Sequence, residues 1–407
     1  MPSPDVSEVR NPIDLEKLEK FFMDPKSYEN VTFGTSYRKF QAPFAIKQFT
    51  FGQSNPTYYL TDAAGKSFVL RRKPLPNNKL VSRSAHAIER EFFVLNSISI
   101  SNKESERTVP VPDLYLLCEN ESVIGYVFYV MEFIDGRQIK NPSMPGCSEA
   151  EKKMLWQSII ETIAAIHAID PKVLLDNLPL FHFPQFAPEK IEKLRSSSYF
   201  KRQVKTLSGV ETQQSRVVPA IPHFSDICEW LLSTAPRDPS KLSLIHGDCK
   251  IDNFLFHPTE PKVIAVLDWE LCTFGHPLFD LSNFLQPFCL PNKLNLLLFK
   301  PQKTDMGREN KNSKELVYDK LHLYEEKLGY PWDAADKLNN PVDLWLVGCV
   351  FGLLRLCVIS QGIAMRVKKG NASSGEASGY AALYPYLSSI AVEFIQEFKD
   401  NKPSSKY

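Results

Sequence analysis

The sequence lacks the cysteine pairs that mark a zinc ribbon or a dithiol redox site. Its eight cysteines are scattered through 407 residues, and the nearest two, Cys349 and Cys357, stand eight apart. Reduced structural thiols are therefore expected. It lacks a charge surplus as well: 48 Lys and Arg face 47 Asp and Glu, for a net +1, so no global field would recruit nucleic acid or an anionic membrane. The N-terminal MPSPDVSEVRNP has no charged-then-apolar leader pattern, and the longest uncharged apolar run, Leu344 to Leu354, is too short to cross a bilayer. A cytoplasmic protein without stable membrane insertion is expected. The C-terminal SSKY has Tyr where a peroxisomal Ser-Lys-Leu address needs Leu. There is no G-x-G-x-x-G, no internal repeat, and no metal-ligand spacing among His86, His167, His182, His223, His257, His276 and His322.

What is present is ordinary globular composition, 43% hydrophobic and 23% charged, which excludes a wholly disordered, collagenous or coiled-coil chain. The length is about 2.7 times the roughly 150 residues typical of one domain, so two lobes are expected. Residues 1–40 read as an N-terminal extension with a short helix from Asp14 to Phe22. From Phe44 to Lys73, FAIKQFTF and TYYLTDAAGKSFVLRRK read as antiparallel strands joined by turns. Ser84 to Ser97 reads as a helix, with Ile88, Phe92 and Leu95 on one face. DLYLLCE and SVIGYVFYVME add two more strands, making 41–134 a small sheet-plus-helix lobe. After Gly136 the character turns helical: Glu149 to Ile169 and Pro341 to Arg366 carry helical spacing, and 135–407 forms the second lobe. The overall class is α+β.

The most informative string is His246-Gly247-Asp248-Cys249-Lys250-Ile251-Asp252-Asn253, followed by the apolar strand that delivers Asp268 and Trp269. Phosphoryl transfer from a nucleotide needs a carboxylate to orient the attacking hydroxyl and hard oxygen ligands to hold magnesium against the phosphates. H-x-D-x-x-x-x-N with a second strand-borne Asp supplies both. The protein-kinase form is H-R-D-x-x-x-x-N with D-F-G; Gly247 in place of Arg, and Leu267-Asp268-Trp269 in place of D-F-G, point away from protein kinases.

With Gly275-His276-Pro277-Leu278-Phe279-Asp280 downstream, these strings resemble the aminoglycoside phosphotransferase and choline kinase-like superfamily. That resemblance implies a bilobal protein kinase-like fold, with a small antiparallel-sheet N-lobe for the nucleotide and a larger, mainly helical C-lobe for catalysis and the acceptor. It implies Asp248 and His246 as catalytic residues, and Asn253 and Asp268 as magnesium ligands. GQSNPTYYL, FVLRRKP, SAHAIEREF, VPVPDLY and AVLDWELCTFGHPLFDL are similar to the kinase-like half of the acyl-CoA dehydrogenase family members ten and eleven. That half is thought to phosphorylate the hydroxyl of a hydroxyacyl-CoA, and any coupled dehydrogenation is expected of a separate protein.

The N-lobe should then pair a strand-borne cation with a helical Glu to hold the nucleotide phosphates. On Phe68-Val69-Leu70-Arg71, alternation puts Val69 and Arg71 on one face, Val69 to cover the adenine and Arg71 to reach phosphate. The superfamily usually has Lys there; Arg binds phosphate bidentately but is not its equivalent, and Arg72 or Lys73 takes the role if the register shifts. On the following helix Glu91 falls within about 50° of the apolar stripe whereas Glu89 lies about 110° away, so Glu91 is expected to point inward and pair with Arg71. Ser54 and Asn55, in the turn between strands, are candidate donors to the phosphates. Glu132 and Ile134 mark the hinge expected to meet the adenine edge. The aromatic stretches Tyr199 to Arg202 and Phe181 to Phe183 read as packing or as lining for an acceptor. The implied reaction uses ATP and Mg2+, with a small-molecule hydroxyl substrate, a hydroxyacyl-CoA thioester in first place. A choline-, sugar- or aminoglycoside-like alcohol, or a catalytically silent nucleotide-binding scaffold, are the alternatives.

Overall fold

Alternation builds the first sheet. In the strand Thr57–Thr61, Tyr58 and Leu60 are fully buried while the residues between them are not, as the period of two requires. A computed structural model describes residues 5–50, 55–74, 87–195, 197–239, 241–299, 306–329, 332, 336–370 and 377–401. Ser54 and residues 84–86 lie outside the described residues. The described chain divides into two compact units.

In the first unit, seven antiparallel strands are ordered β1-β3-β4-β5-β7-β6-β2. They are β1 (Val6–Ser7), β2 (Val31–Phe33), β3 (Ala45–Phe49), β4 (Thr57–Thr61), β5 (Ser67–Arg72), β6 (Leu114–Cys118) and β7 (Phe128–Glu132). Helix α1 (Leu15–Met23) is capped by Asp14, whose side chain accepts from the Lys17 amide. It buries Leu18, Phe21 and Phe22 with Tyr58, Leu60, Phe68, Leu70 and Phe128 in one core on one face of the sheet. Residues 5–40, expected as an extension, therefore supply α1, a share of the core and both edge strands. At two and three residues, β1 and β2 are too short to show alternation, and short edges are a common way to blunt a sheet's unpaired rim.

Helix α2 (Ile88–Glu104) starts four residues later than expected and runs seven further, burying Ile88, Phe92, Leu95 and Ile98. The unit also holds β8 (Arg137–Gln138), α3 (Glu149–Ala168) and α4 (Pro171–Asn177). The chain returns to it as the hairpin β10 (Phe254–Phe256) and β11 (Val263–Val266). β10 pairs with β8, and the Val266 amide donates to the Pro110 carbonyl. These bonds explain why residues 146–187 and 246–272 group with the sheet, so that the chain does not divide at 134 as the sequence suggested.

The second unit is mainly helical. It contains the strand pair β9 (Ser243–Ile245) and β12 (Thr273–Gly275), joined antiparallel. Its helices are α5 (Pro188–Arg195), α6 (Tyr199–Gln214), α7 (Phe224–Thr234), α8 (Leu278–Phe284), α9 (Gln286–Cys289), α10 (Asn292–Leu298), α11 (Ser313–Leu328), α12 (Trp345–Lys368), α13 (Ala377–Ala381) and α14 (Tyr384–Asn401). Helix α12, expected from Pro341, is the central element and packs against α6, α7, α8, α13 and α14. By length and composition it could cross a membrane, but 72% of its most apolar window is buried inside the protein, as in the core helix of a globular domain. Cys289 on α9 and Cys349 on α12 are disulfide-bonded with Cα atoms 6.4 Å apart, which corrects the expectation of thiols throughout. Their separation of 60 residues is closed only by tertiary packing, so spacing could not reveal it. Of the aromatic stretches, Tyr199 and Phe200 are buried here and Phe183 in the first unit, whereas Phe181 is exposed.

Candidate active site

The site residues fall within the first unit. Because Phe68 and Leu70 face the core below the sheet, Val69 and Arg71 face the other way, the register that alternation gives. Arg71 is buried, and its guanidinium is held from two sides. Nη1 donates to Oε1 of Glu91 at 3.1 Å, and Nη2 donates to Oδ1 of Asp268 at 2.9 Å. The alternatives are spoken for: Arg72 Nε donates to the Tyr58 hydroxyl with its guanidinium over the Tyr126 ring, and Lys73 pairs with Glu89. Glu89, expected to face outward, is thus buried as well, because Lys73 covers it.

Glu91 joins three elements. Its Oε1 also accepts from the backbone N–H of Trp269 at 3.3 Å, tying α2 to the short 3-10 turn Trp269–Leu271. Burial pushes the Glu91 carboxyl up to about 7 although Arg71 pulls the other way, and Asp268 and Glu270 add to the rise. Burial opposes the Arg71 charge, yet Glu91, followed by Tyr129 and Asp268, holds its pKa above the ordinary arginine value.

The loop after β9 turns on Gly247, which has φ +82°; a Cβ there would sit 2.3 Å from the Leu271 carbonyl oxygen. His246 is fully buried. Its Nε2 bonds the Leu267 carbonyl at 2.9 Å and its Nδ1 accepts from the Asp248 amide at 3.3 Å, so it braces the loop beneath Asp248. The Asp248 carboxylate is partly exposed; Oδ2 receives Lys250 Nζ at 3.0 Å and Asn253 Nδ2 at 3.3 Å. Asn253 Nδ2 also donates to the Asp248 carbonyl at 2.8 Å, and the Leu267 amide donates to the Asn253 carbonyl at 2.9 Å. With Phe254 opposite Val266 in the β10–β11 hairpin, Asn253 and Asp268 come to the same end of the two strands. Asp268 itself has φ +66°, a strained setting for a non-glycine residue and one that clusters at functional sites. Burial works against the Lys250 cation, but Asp248 and Asp252 together hold it above its usual value.

Asn55 is fully buried, and its Nδ2 donates to Oε2 of Glu270 at 3.0 Å. Glu132 is half-buried at the end of β7; its carboxylate accepts from the Asp113 amide and its own amide donates to the Asp113 carbonyl. Ile134 follows on the same segment, partly buried. Val69, opposite Tyr59 on β4 and Met131 on β7, lies on the face where Phe133 packs against Tyr59 at 4.8 Å.

Residues 45–299 match the phosphotransferase enzyme family. The chain belongs to this family. It is also 33% identical over 347 residues to acyl-CoA dehydrogenase family member 11 of Rattus norvegicus, and 32% identical over 356 residues to family member 10 of Mus musculus. These matches take in 84% and 86% of the chain but only 38% and 29% of the relatives, so the chain spans well under half of either. A solved structure from Ralstonia eutropha, provisionally described as an aminoglycoside phosphotransferase, superposes with a TM-score of 0.70 at 29% identity, covering 95% of this chain and 99% of the other. The resemblance carried by the H-G-D string, and the α+β fold with its antiparallel sheet and helical remainder, are thereby shown.

The donor set suits magnesium. Among the described residues no cluster of three or more His, Cys, Asp or Glu side chains could enclose a cation. Magnesium seldom uses such a cage; it takes one or two protein oxygens with phosphates and water completing the octahedron. The Asn253 carboxamide uses its nitrogen on Asp248, leaving its oxygen as the donor, and Asp268 adds an anionic oxygen at the same strand end. Arg71 Nε is buried with no hydrogen-bond partner among the described residues, so the guanidinium retains donor capacity for a phosphate. The residues that sequence reasoning missed are Lys250 and Glu270. Each lies two positions after a candidate carboxylate, but only the folded chain shows that Lys250 pairs with Asp248 and that Glu270 meets Asn55 and approaches Arg71.

Proposed function

We propose that this protein transfers the γ-phosphoryl group of ATP to the hydroxyl of a small metabolite. The observation that carries the reading is the meeting of Asp248, Asn253, Asp268, Arg71 and Glu91 in one unit of a phosphotransferase-family chain. Asp248 orients the acceptor hydroxyl and takes its proton as the oxygen–phosphorus bond forms and the bond to the ADP oxygen breaks. Lys250 and Asn253 both engage Asp248 Oδ2, which leaves Oδ1 to face the acceptor. Asn253 and Asp268 would hold magnesium, which when bound neutralises charge on the phosphate oxygens. Arg71, braced by Glu91, would bind the α and β phosphates; Val69, Glu132 and Ile134 would flank the adenine.

A hydroxyacyl-CoA is the proposed acceptor, supported by the similarity to proteins named as acyl-CoA dehydrogenase family members. The test is phosphate transfer from labelled ATP to a panel holding hydroxyacyl-CoA thioesters, choline, sugars and an aminoglycoside. Transfer to a hydroxyacyl-CoA, lost by about 10² to 10⁴ in Asp248→Asn, supports the reading. Transfer only to choline or a sugar sinks the acceptor assignment, and Asp248→Asn within about threefold of the natural protein sinks the assignment of the base.

A further inference from the structure

The bond between Asn55 and Glu270 has no part in the transfer step described above, yet it spans 215 positions of sequence to join two groups beside Arg71. Asn55 is 0% exposed, an expensive place for a carboxamide, and with its Oδ1 buried and without a hydrogen-bond partner among the described residues, the bond from Nδ2 to Glu270 is the side-chain bond that offsets the cost there. It immediately precedes Pro56 and β4, and Thr57 of β4 lies directly opposite Arg71 in the sheet. Glu270 follows Asp268 by two residues, and its Oε2 lies 3.9 Å from Arg71 Nη2, the nitrogen that Asp268 holds.

We propose, resting on the phosphotransferase reading, that Glu270 and Asn55 form a positioning pair. Glu270 fixes the start of β4 through Asn55 and stands as the alternative partner for Arg71 Nη2, so that the guanidinium keeps its place when Asp268 serves the cation. The pair touches neither the acceptor nor the transferred phosphorus. Its loss is felt in nucleotide binding, with the hydroxyl substrate unaffected.

The experiment is calorimetric titration of magnesium-ATP into the full chain, alongside kcat and the KM of each substrate, for Asn55→Ala, Glu270→Ala, their combination, Asn55→Asp, and Asn55→Asp with Glu270→Gln. Each alanine variant is expected to weaken ATP binding about tenfold, the loss on removing a hydrogen bond to a charged group. The double variant should be no worse than the weaker single, and the acceptor KM should hold within about twofold. Asn55→Asp sets two carboxylates against each other, and Glu270→Gln in that background restores a donor and acceptor with the roles exchanged, so most of the lost affinity should return. That rescue keeps the proposal testable should an alanine variant fold poorly. Multiplicative losses in the double variant, unchanged ATP affinity, or an exchange pair no better than Asn55→Asp would each overturn it. The last is the outcome expected if Glu270 serves a cation directly. A natural protein that binds no magnesium-ATP overturns the phosphotransferase reading and this inference together, whereas normal binding by the natural protein with any of those outcomes sinks the inference alone.

Discussion

Oε1 of Glu91 lies 3.1 Å from Nη1 of Arg71, in a setting where the carboxylate side chain is 1% exposed and the guanidinium 11%. A strand, a helix and the Trp269 turn therefore share one buried charge pair, and removing one member leaves the other stranded. Arg71→Met is expected to destabilise the protein by about 3–5 kcal/mol, the usual cost of an uncompensated buried charge. Adding Glu91→Gln should recover part of that loss, since groups in one network couple by about 0.5–3 kcal/mol. Arg71→Lys should keep partial transfer, because a point charge still neutralises phosphate without the bidentate geometry. Urea unfolding of the natural protein, Arg71→Met, Glu91→Gln and the double variant checks the first two statements: an Arg71→Met protein as stable as the natural one would refute the first, and strict additivity would refute the second.

The same pair sets a pH dependence. Glu91 has its carboxyl pushed up to about 7 in the folded protein, from an ordinary value of 4.5. The folded state thus binds more protons than the unfolded state between these values, and Glu91's contribution to stability is full in acid and falls as pH rises through that window. The stability of the natural protein relative to Glu91→Gln should decline between about pH 4.5 and 7 and level off above. A rise over that interval would contradict the burial-driven shift.

Gly247→Ala should be the most damaging single-methyl change in the catalytic loop. It forces an L-residue into φ +82° and drives a Cβ to 2.3 Å from backbone that cannot swing aside. Strain of this kind costs on the order of 1–3 kcal/mol before the clash is counted. Because His246 and Asp248 flank the turn, transfer should fall by more than the loss of folded protein explains. Activity per folded molecule, from circular dichroism and rate measured together, decides it; an unchanged value would mean that Gly247 is there for chain reversal alone.

Asp268→Asn is a cleaner probe of the cation site than Asp268→Ala, since Asn tolerates φ +66° and removes only the negative charge. Transfer should drop on the order of 10² to 10³, the size seen when a charge-stabilising group is removed. The magnesium dependence of ATP binding should weaken in parallel. An Asp268→Asn protein with an unaltered magnesium titration would place the cation elsewhere.

Much of this site was legible because its parts are local. His246, Gly247, Asp248 and Asn253 occupy one loop, so their order in the chain is nearly their order in space. Val69 and Arg71 were placed by strand alternation, and Glu91 by helical angle, both fixed backbone periods. Glu89 was misplaced because the angle argument takes polar residues as exposed unless paired, and Lys73 pairs it. Residues 5–40 read as an extension because β1 and β2, at two and three residues, are too short for a period of two to repeat recognisably. The Asn55 to Glu270 bond and the Cys289–Cys349 pair join positions 215 and 60 residues apart, distances over which spacing carries no information.

Lys320 on α11 gives a test of the helical unit that owes nothing to the active site. It is 8% exposed, its Nζ donates to the Leu316 carbonyl at 3.0 Å and lies 5.0 Å from the centre of the Phe288 ring, and burial pulls its pKa down to about 8 from 10.5. Below pH 8 both folded and unfolded states carry the proton, so the cost of burying the cation is borne in full. Between about pH 8 and 10.5 the folded state has released the proton and the unfolded state has not, so stability rises with pH through that window. Lys320→Met keeps much of the side chain's length and removes the charge. It should stabilise the protein by about 1–3 kcal/mol at pH 7, since each tenfold change in proton affinity corresponds to about 1.4 kcal/mol. That advantage should shrink as pH approaches 10.5. Chemical unfolding of both proteins at pH 7, 8, 9 and 10 reads the difference directly; a gap that widens with pH, or a variant less stable at pH 7, would show that Lys320 stabilises α11 as a cation.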